Sequence, residues 1–161
     1  LLAQGDTESA LELVKQANQM DPANYRSLIS YARVSATMGN LEEAKTVLDA
    51  LPEEQKENPE VKSLLAQMEF DSIAGHDTSI EDLTNQLEQD PENNDIRYKL
   101  AAAQVMQGEV EAALENLLLI MKKDREFNDD AARKMMFKVF DSLGDHPLVA
   151  TYRRKIMSLI Y

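Results

Sequence analysis

The sequence predicts an all-α fold, a superhelical array of antiparallel helix pairs, and three observations carry that expectation. All five glycines, Gly5, Gly39, Gly75, Gly108 and Gly144, recur at intervals of 34, 36, 33 and 36 residues, each followed by an amphipathic stretch. Glycine adopts the backbone angles that end one helix and turn into the next, so a near-constant interval marks one helix–turn–helix unit copied along the chain. Other residues keep phase with it: Ala10, Ala44 and Ala113 stand five places after a glycine, and Val14, Leu48 and Leu117 nine places after. Composition agrees, because a chain of 161 residues with 5 Gly, 5 Pro, no Trp and 6% aromatics is poor in the turn residues of an all-β domain.

Each element follows from local signals. Leu1-Leu2-Ala3 runs into Gly5 as the close of a helix whose beginning is absent, so residues 1–22 read as the second helix of a truncated first repeat and the chain as a fragment. The helix over 7–19 offers Leu11, Val14 and Ala17 to a partner. A complete repeat over 23–58 holds helices at 23–38 and 41–50, the second opened by Asn40 with Glu43 placed for a capping box and stopped by Pro52. Residues 59–91 form a degenerate repeat. Its first helix, 59–73, has Asn58 as cap and Pro59 in the first turn, and Gly75-His76-Asp77 leads to a second at 79–89. Ile80 stands there at the small position and Thr84 where an apolar residue belongs. The clearest repeat, 92–126, pairs helices at 94–107 and 110–123, and Asp21-Pro22 and Asp90-Pro91 close the first and third copies. The last pair, 127–161, is the capping and candidate docking element. Its helix at 129–143 sets Ala132, Met135, Met136, Val139, Phe140 and Leu143 at the spacing of a buried face, and its helix at 147–160 closes the array.

Charge and missing chemistry narrow the function. The net charge is −12, made of −15 over residues 1–121 and +3 over residues 122–161. Phosphates need an electropositive footprint, so nucleic-acid binding is disfavoured. No apolar run approaches the ~20 residues that cross a bilayer, so no membrane partner is expected. Absent cysteines remove disulfides and thiolate metal sites and fit a reducing, cytoplasmic compartment. His76 and His146 sit in inter-helix loops without a second histidine at metal-ligand spacing, and phosphate loops and nucleophile elbows are missing. No catalytic residue, cofactor or metal is therefore expected, and acidic pairs such as Glu42-Glu43, Glu53-Glu54 and Asp129-Asp130 read as helix-start charges.

A period near 34, with the paired Tyr31-Ala32 and Leu100-Ala101 before the turn glycines, resembles the tetratricopeptide family. The resemblance implies that the first helix of each pair lines a concave groove. Its outward positions would be Arg26, Ile29, Arg33 and Ala36 in one repeat, and Asp95, Tyr98, Ala102 and Val105 in another, with Met68 and Met106 nearby. Ile29 and Tyr98 occupy places where carboxylate-clamping members carry polar residues, so a mixed to apolar groove is expected.

In the closing helix, Leu148, Val149, Tyr152, Ile156, Leu159 and Ile160 form a stripe that packs on the preceding helix, while Met157 and Tyr161 lie to its flank. The cluster Arg153-Arg154-Lys155 suits an acidic partner surface, or the negative end of a helix dipole. This tail, together with Gly108-Glu109-Val110-Glu111-Ala112-Ala113-Leu114-Glu115 and Gln89-Asp90-Pro91-Glu92, resembles the helical half of the bacterial chaperedoxins, the YbbN/CnoX type. That resemblance implies an upstream thioredoxin-like domain, holdase and co-chaperone activity on unfolded client proteins, and delivery to a chaperonin with the final helix as docking element. The expected tail contacts are Tyr152, Arg153, Arg154, Ile156, Met157 and Tyr161. Two other classes stay open: an adaptor that reads one defined peptide with Arg26, Ile29, Arg33 and Tyr98, and an array that only positions another domain.

Overall fold

A computed structural model describes residues 7–21 and 24–160. The Leu1-Leu2-Ala3 stub, Gly5, Pro22, Tyr161 and the packing of Ala10 lie outside the described residues. Ten helices and no strand occur among the described residues, and the chain divides into two compact units, Leu1–Glu69 and Phe70–Tyr161.

The first unit holds α1 (Thr7–Met20), α2 (Tyr25–Thr37), α3 (Leu41–Asp49), α4 (Glu53–Lys56) and most of α5 (Pro59–Ala74). Asn24 caps α2 by accepting from Ser27 N at 3.3 Å. The helix ends at Gly39, whose φ of +81° lets Asn40 N donate back to Ser35 O at 2.9 Å. Short turns make α1, α2 and α3 antiparallel neighbours. Ala32 and Ala44, both fully buried, let α2 and α3 approach, and the larger side chains Ile29, Leu48, Leu51, Val61, Leu64 and Met68 complete the core.

Two local expectations fail here. Asn40 makes no side-chain cap bond, and Glu43 accepts from the Tyr31 hydroxyl on α2 in place of closing a capping box. A tertiary acceptor role displaces the local one. The short α4, between Pro52 and Pro59, was too brief for a periodicity signal.

The second unit takes the end of α5 and holds α6 (Ile80–Gln89), α7 (Asn94–Met106), α8 (Val110–Lys123), α9 (Ala131–Leu143) and α10 (Pro147–Ile160). The small run Ala101-Ala102-Ala103 is buried on α7, where the bulky Leu114, Leu117 and Leu118 of α8 fill the space it leaves. Several polar groups at this helix pair bond to one another, although Arg97 Nε and Asn94 Oδ1 are buried without a partner. Arg97 donates to Pro91 O at 2.7 Å and to Asn116 Oδ1 at 3.2 Å, and Asn116 donates to Gln104 Oε1 at 2.9 Å.

The start of α9 differs from expectation. Asn128, Asp129 and Asp130 all adopt positive φ, 45°, 58° and 63°, and the helix begins at Ala131 with no side-chain cap bond from Asp130. Asn and Asp tolerate this left-handed region better than other side chains. The turn seats Phe127 in the interior, its ring edge-on to Tyr98 at 5.6 Å.

The closing helix also departs from the expected arrangement. α10 packs chiefly on α8, not on the helix just before it. A buried tyrosine hydroxyl needs a hydrogen-bond partner, and α8 supplies it in Glu115, which accepts from Tyr152 at 2.6 Å.

Candidate protein-interaction surface

α10 has two faces of different character. Val149, Tyr152 and Ile156 are buried, with Tyr152 wholly enclosed. Glu115 of α8 accepts from the Tyr152 hydroxyl and from Lys155, whose ammonium also lies 4.2 Å above the Tyr152 ring centroid. These donors hold the Glu115 carboxyl below its ordinary 4.5, the Lys155 hydrogen bond contributing most and that of Tyr152 next. Burial, followed by the hydrogen bond to Glu115, pushes the Tyr152 phenol far above 10, so it remains a donor. Arg125, after α8, adds a hydrogen bond to the Leu159 carbonyl.

The opposite face is open. Arg153, Arg154 and Met157 are exposed, Met157 at 54%. Arg153 lies over the Phe140 ring of α9 at 5.8 Å, and Phe140 in turn meets Phe137 edge-on at 5.9 Å. Phe137 is 45% exposed. This gives the α9–α10 side of the second unit a basic and apolar surface, with Phe137 as the residue that sequence reading passed over. It lies off the buried stripe of α9, and a large aromatic at such a position was the available signal.

The expected tail contacts therefore separate. Arg153, Arg154 and Met157 are accessible, whereas Tyr152 and Ile156 are buried supports that cannot touch a partner in this arrangement. Tyr161 lies outside the described residues.

The expected groove positions separate in the same way. In the first unit Arg26 and Arg33 are exposed, two turns apart on α2, and Arg33 pairs with Glu60 of α5. Ile29 is 3% exposed and belongs to the core with Leu48 and Val61, so its assignment as a contact residue is corrected. It sits on the stripe shared with Ala32, which faces α3. Met68 is likewise core, and in the second unit Ala102 is fully buried. Tyr98 is half-buried against Phe127. The structure thus brings together the α10 residues, and separately the two α2 arginines.

Among the described residues no group of three or more His, Asp or Glu side chains is arranged to hold a metal ion. No helix among them is long and apolar enough to cross a membrane. A cleft of about 350 Å³ lies in the second unit at the α5–α6 corner, lined in part by Asp71, His76, Met106 and Glu109.

No curated protein matches the chain. Among solved structures, the crystal structure of a domain of protein VP0806 (unknown function) from Vibrio parahaemolyticus RIMD 2210633 is similar, with 25% sequence identity and a TM-score of 0.47. The alignment covers 100% of this chain and 94% of that one. Two family models, each described as tetratricopeptide repeat, match residues 1–68 and residues 73–161, the second more than half of the chain. With glycine corners at positive φ between stacked helices and small residues at the helix contacts, the chain belongs to the tetratricopeptide repeat family.

Proposed function

We propose that this protein-interaction scaffold is a co-chaperone holdase: it engages unfolding client proteins and delivers them to a chaperonin, as the helical part of a thioredoxin-like protein. The observation that carries the reading is the division of α10, whose Tyr152 and Ile156 anchor it while Arg153, Arg154 and Met157 are exposed, Arg153 over the Phe140 ring that Phe137 meets edge-on. A helix locked on one side and basic-apolar on the other suits an acidic docking surface. Exposed Met157 and Phe137 offer adaptable apolar contact to segments without fixed sequence. Nothing in this role requires catalysis.

The test uses the whole chain carrying Arg153→Glu, Arg154→Glu and Met157→Ser. Chaperonin co-purification and suppression of aggregation of a denatured protein are measured against the parent chain. Loss of chaperonin capture with an unchanged circular dichroism spectrum supports the docking assignment, and unchanged capture removes it. The adaptor reading gains instead if a peptide array selects one motif, dependent on Arg26 and Arg33, while denatured proteins are ignored.

A further inference from the structure

We infer that the α5–α6 corner of the second unit is a proton-operated clasp, in which His76 holds the buried Asp71 carboxylate at the edge of the cleft tightly when protonated and more loosely when neutral. The inference is independent of the chaperone reading.

Asp71 is placed where a carboxylate needs a cation. It stands in the last turn of α5, where the helix dipole is negative, and it is 9% exposed. Its backbone carbonyl accepts from Gly75 N at 2.9 Å, so the carboxylate belongs to a helix end that continues directly into the corner. His76 Nδ1 lies 2.6 Å from Asp71 Oδ2. An uncompensated carboxylate at this burial is costly, and the imidazolium compensates it by charge and by hydrogen bond.

Gly75 adopts φ +90°, and a Cβ there would come within 2.9 Å of Thr78 Oγ1, so the chain turns through a site open only to glycine. The turn beyond is closed by Thr78 N donating to Gly75 O at 2.9 Å. Ser79 then starts α6 by accepting from Asp82 N at 3.0 Å. The histidine side chain itself is 37% exposed, so the ring stands at the surface of the corner.

Protonation separates two states. With both nitrogens protonated, Nδ1–H donates to a full negative charge. Once neutral, the ring keeps that bond in one tautomer without the charge, and in the other it turns a lone pair toward the carboxylate. The charged groups around it agree in sign. Asp71 comes from α5 and Asp77 from the corner, and both favour the imidazolium; Glu109, from the turn between α7 and α8, lines the same cleft. The hydrogen bond to Asp71 outweighs partial burial and holds His76 above its ordinary 6.5. A folded value above the unfolded one means that the stabilisation is fully present below 6.5 and is lost as pH rises through the folded value. At higher pH the Asp71 charge at the cleft edge is then no longer offset by the ring.

The test follows the native chain by NMR. The His76 ring resonances should titrate with a midpoint above 6.5, the value free of Asp71. Exchange protection of the Gly75 and Thr78 amides, corrected for intrinsic chemistry, should fall roughly fivefold between about pH 6 and about pH 8. His76→Gln, which keeps a neutral donor, should make that profile flat. A His76 midpoint at or below the free value, protection that does not change across the range, or an unaltered pH response in His76→Gln would each overturn the clasp. The wild-type measurements decide the matter even if the variant does not fold.

Discussion

A hydroxyl enclosed by apolar neighbours destabilises a fold unless a partner replaces water, and for Tyr152 that partner is Glu115. Tyr152→Phe preserves the ring volume and removes only the bond, so a loss of about 1 kcal/mol is expected from urea unfolding followed by circular dichroism. Tyr152→Ala empties the site as well and should cost about 3–5 kcal/mol. The same contact makes α10 acid-sensitive. Lys155 and Tyr152 hold Glu115 below 4.5, so its contribution is present above that value and is lost as pH falls through the lower folded value. Glu115→Gln should remove this acid-dependent component from a melting-temperature series. A Glu115→Gln profile parallel to the parent's would show that the carboxylate does not govern the response. Its partial exposure, 47% for the side chain, keeps the expected effect modest.

Helix ends show which local signals survive tertiary competition. Ser79 and Asn93 each cap as their positions demand, accepting from Asp82 N at 3.0 Å and Ile96 N at 3.1 Å. Replacing Asn93 by Ala should cost about 1 kcal/mol and accelerate amide exchange in the first turn of α7, measured beside Ser79→Ala. Asn58 also serves the start of α5, as its place before Pro59 indicated, by accepting from Glu60 N at 2.9 Å. Asn40 does not, and the box's reciprocal bond is not formed either: Asn40 N donates to Ser35 O at 2.9 Å and Glu43 accepts from Tyr31. No single-sequence signal announces the Tyr31–Glu43 bond, since its two residues meet only after α2 and α3 pack. Asp129 and Asp130 were legible as helix-start residues but not as left-handed ones, because the turn lies between Phe127, packed edge-on to Tyr98, and the start of α9, a tertiary arrangement no local signal encodes. On α10 the helical period sorted most residues: Val149, Tyr152 and Ile156 are inside and Met157 outside. That α8 would receive the stripe was not legible, because periodicity describes a face and not its partner.

Across the molecule the glycine register carried the fold, with φ of +81°, +90°, +80° and +57° at Gly39, Gly75, Gly108 and Gly144. Charge carries a different consequence. The chain holds 29 acidic against 17 basic residues, so even if each base found a partner, twelve carboxylates would stand unmatched. Exposed pairs such as Arg33–Glu60 and Lys123–Glu92 weaken in salt, but each contributes only about 0–1 kcal/mol. Self-repulsion among the unmatched charges is screened by the same salt, over a Debye length of roughly 10 Å at 0.1 M. Repulsion is the larger of the two effects for so acidic a chain, so the melting temperature should rise between about 10 mM and about 150 mM sodium chloride. Replacing both Arg153 and Arg154 by Glu takes the net charge from −12 to −16, and the salt slope should steepen accordingly. If heating scans instead show melting temperature falling with salt, the surface pairs outweigh the net charge, and the acidic excess is better distributed than its total implies.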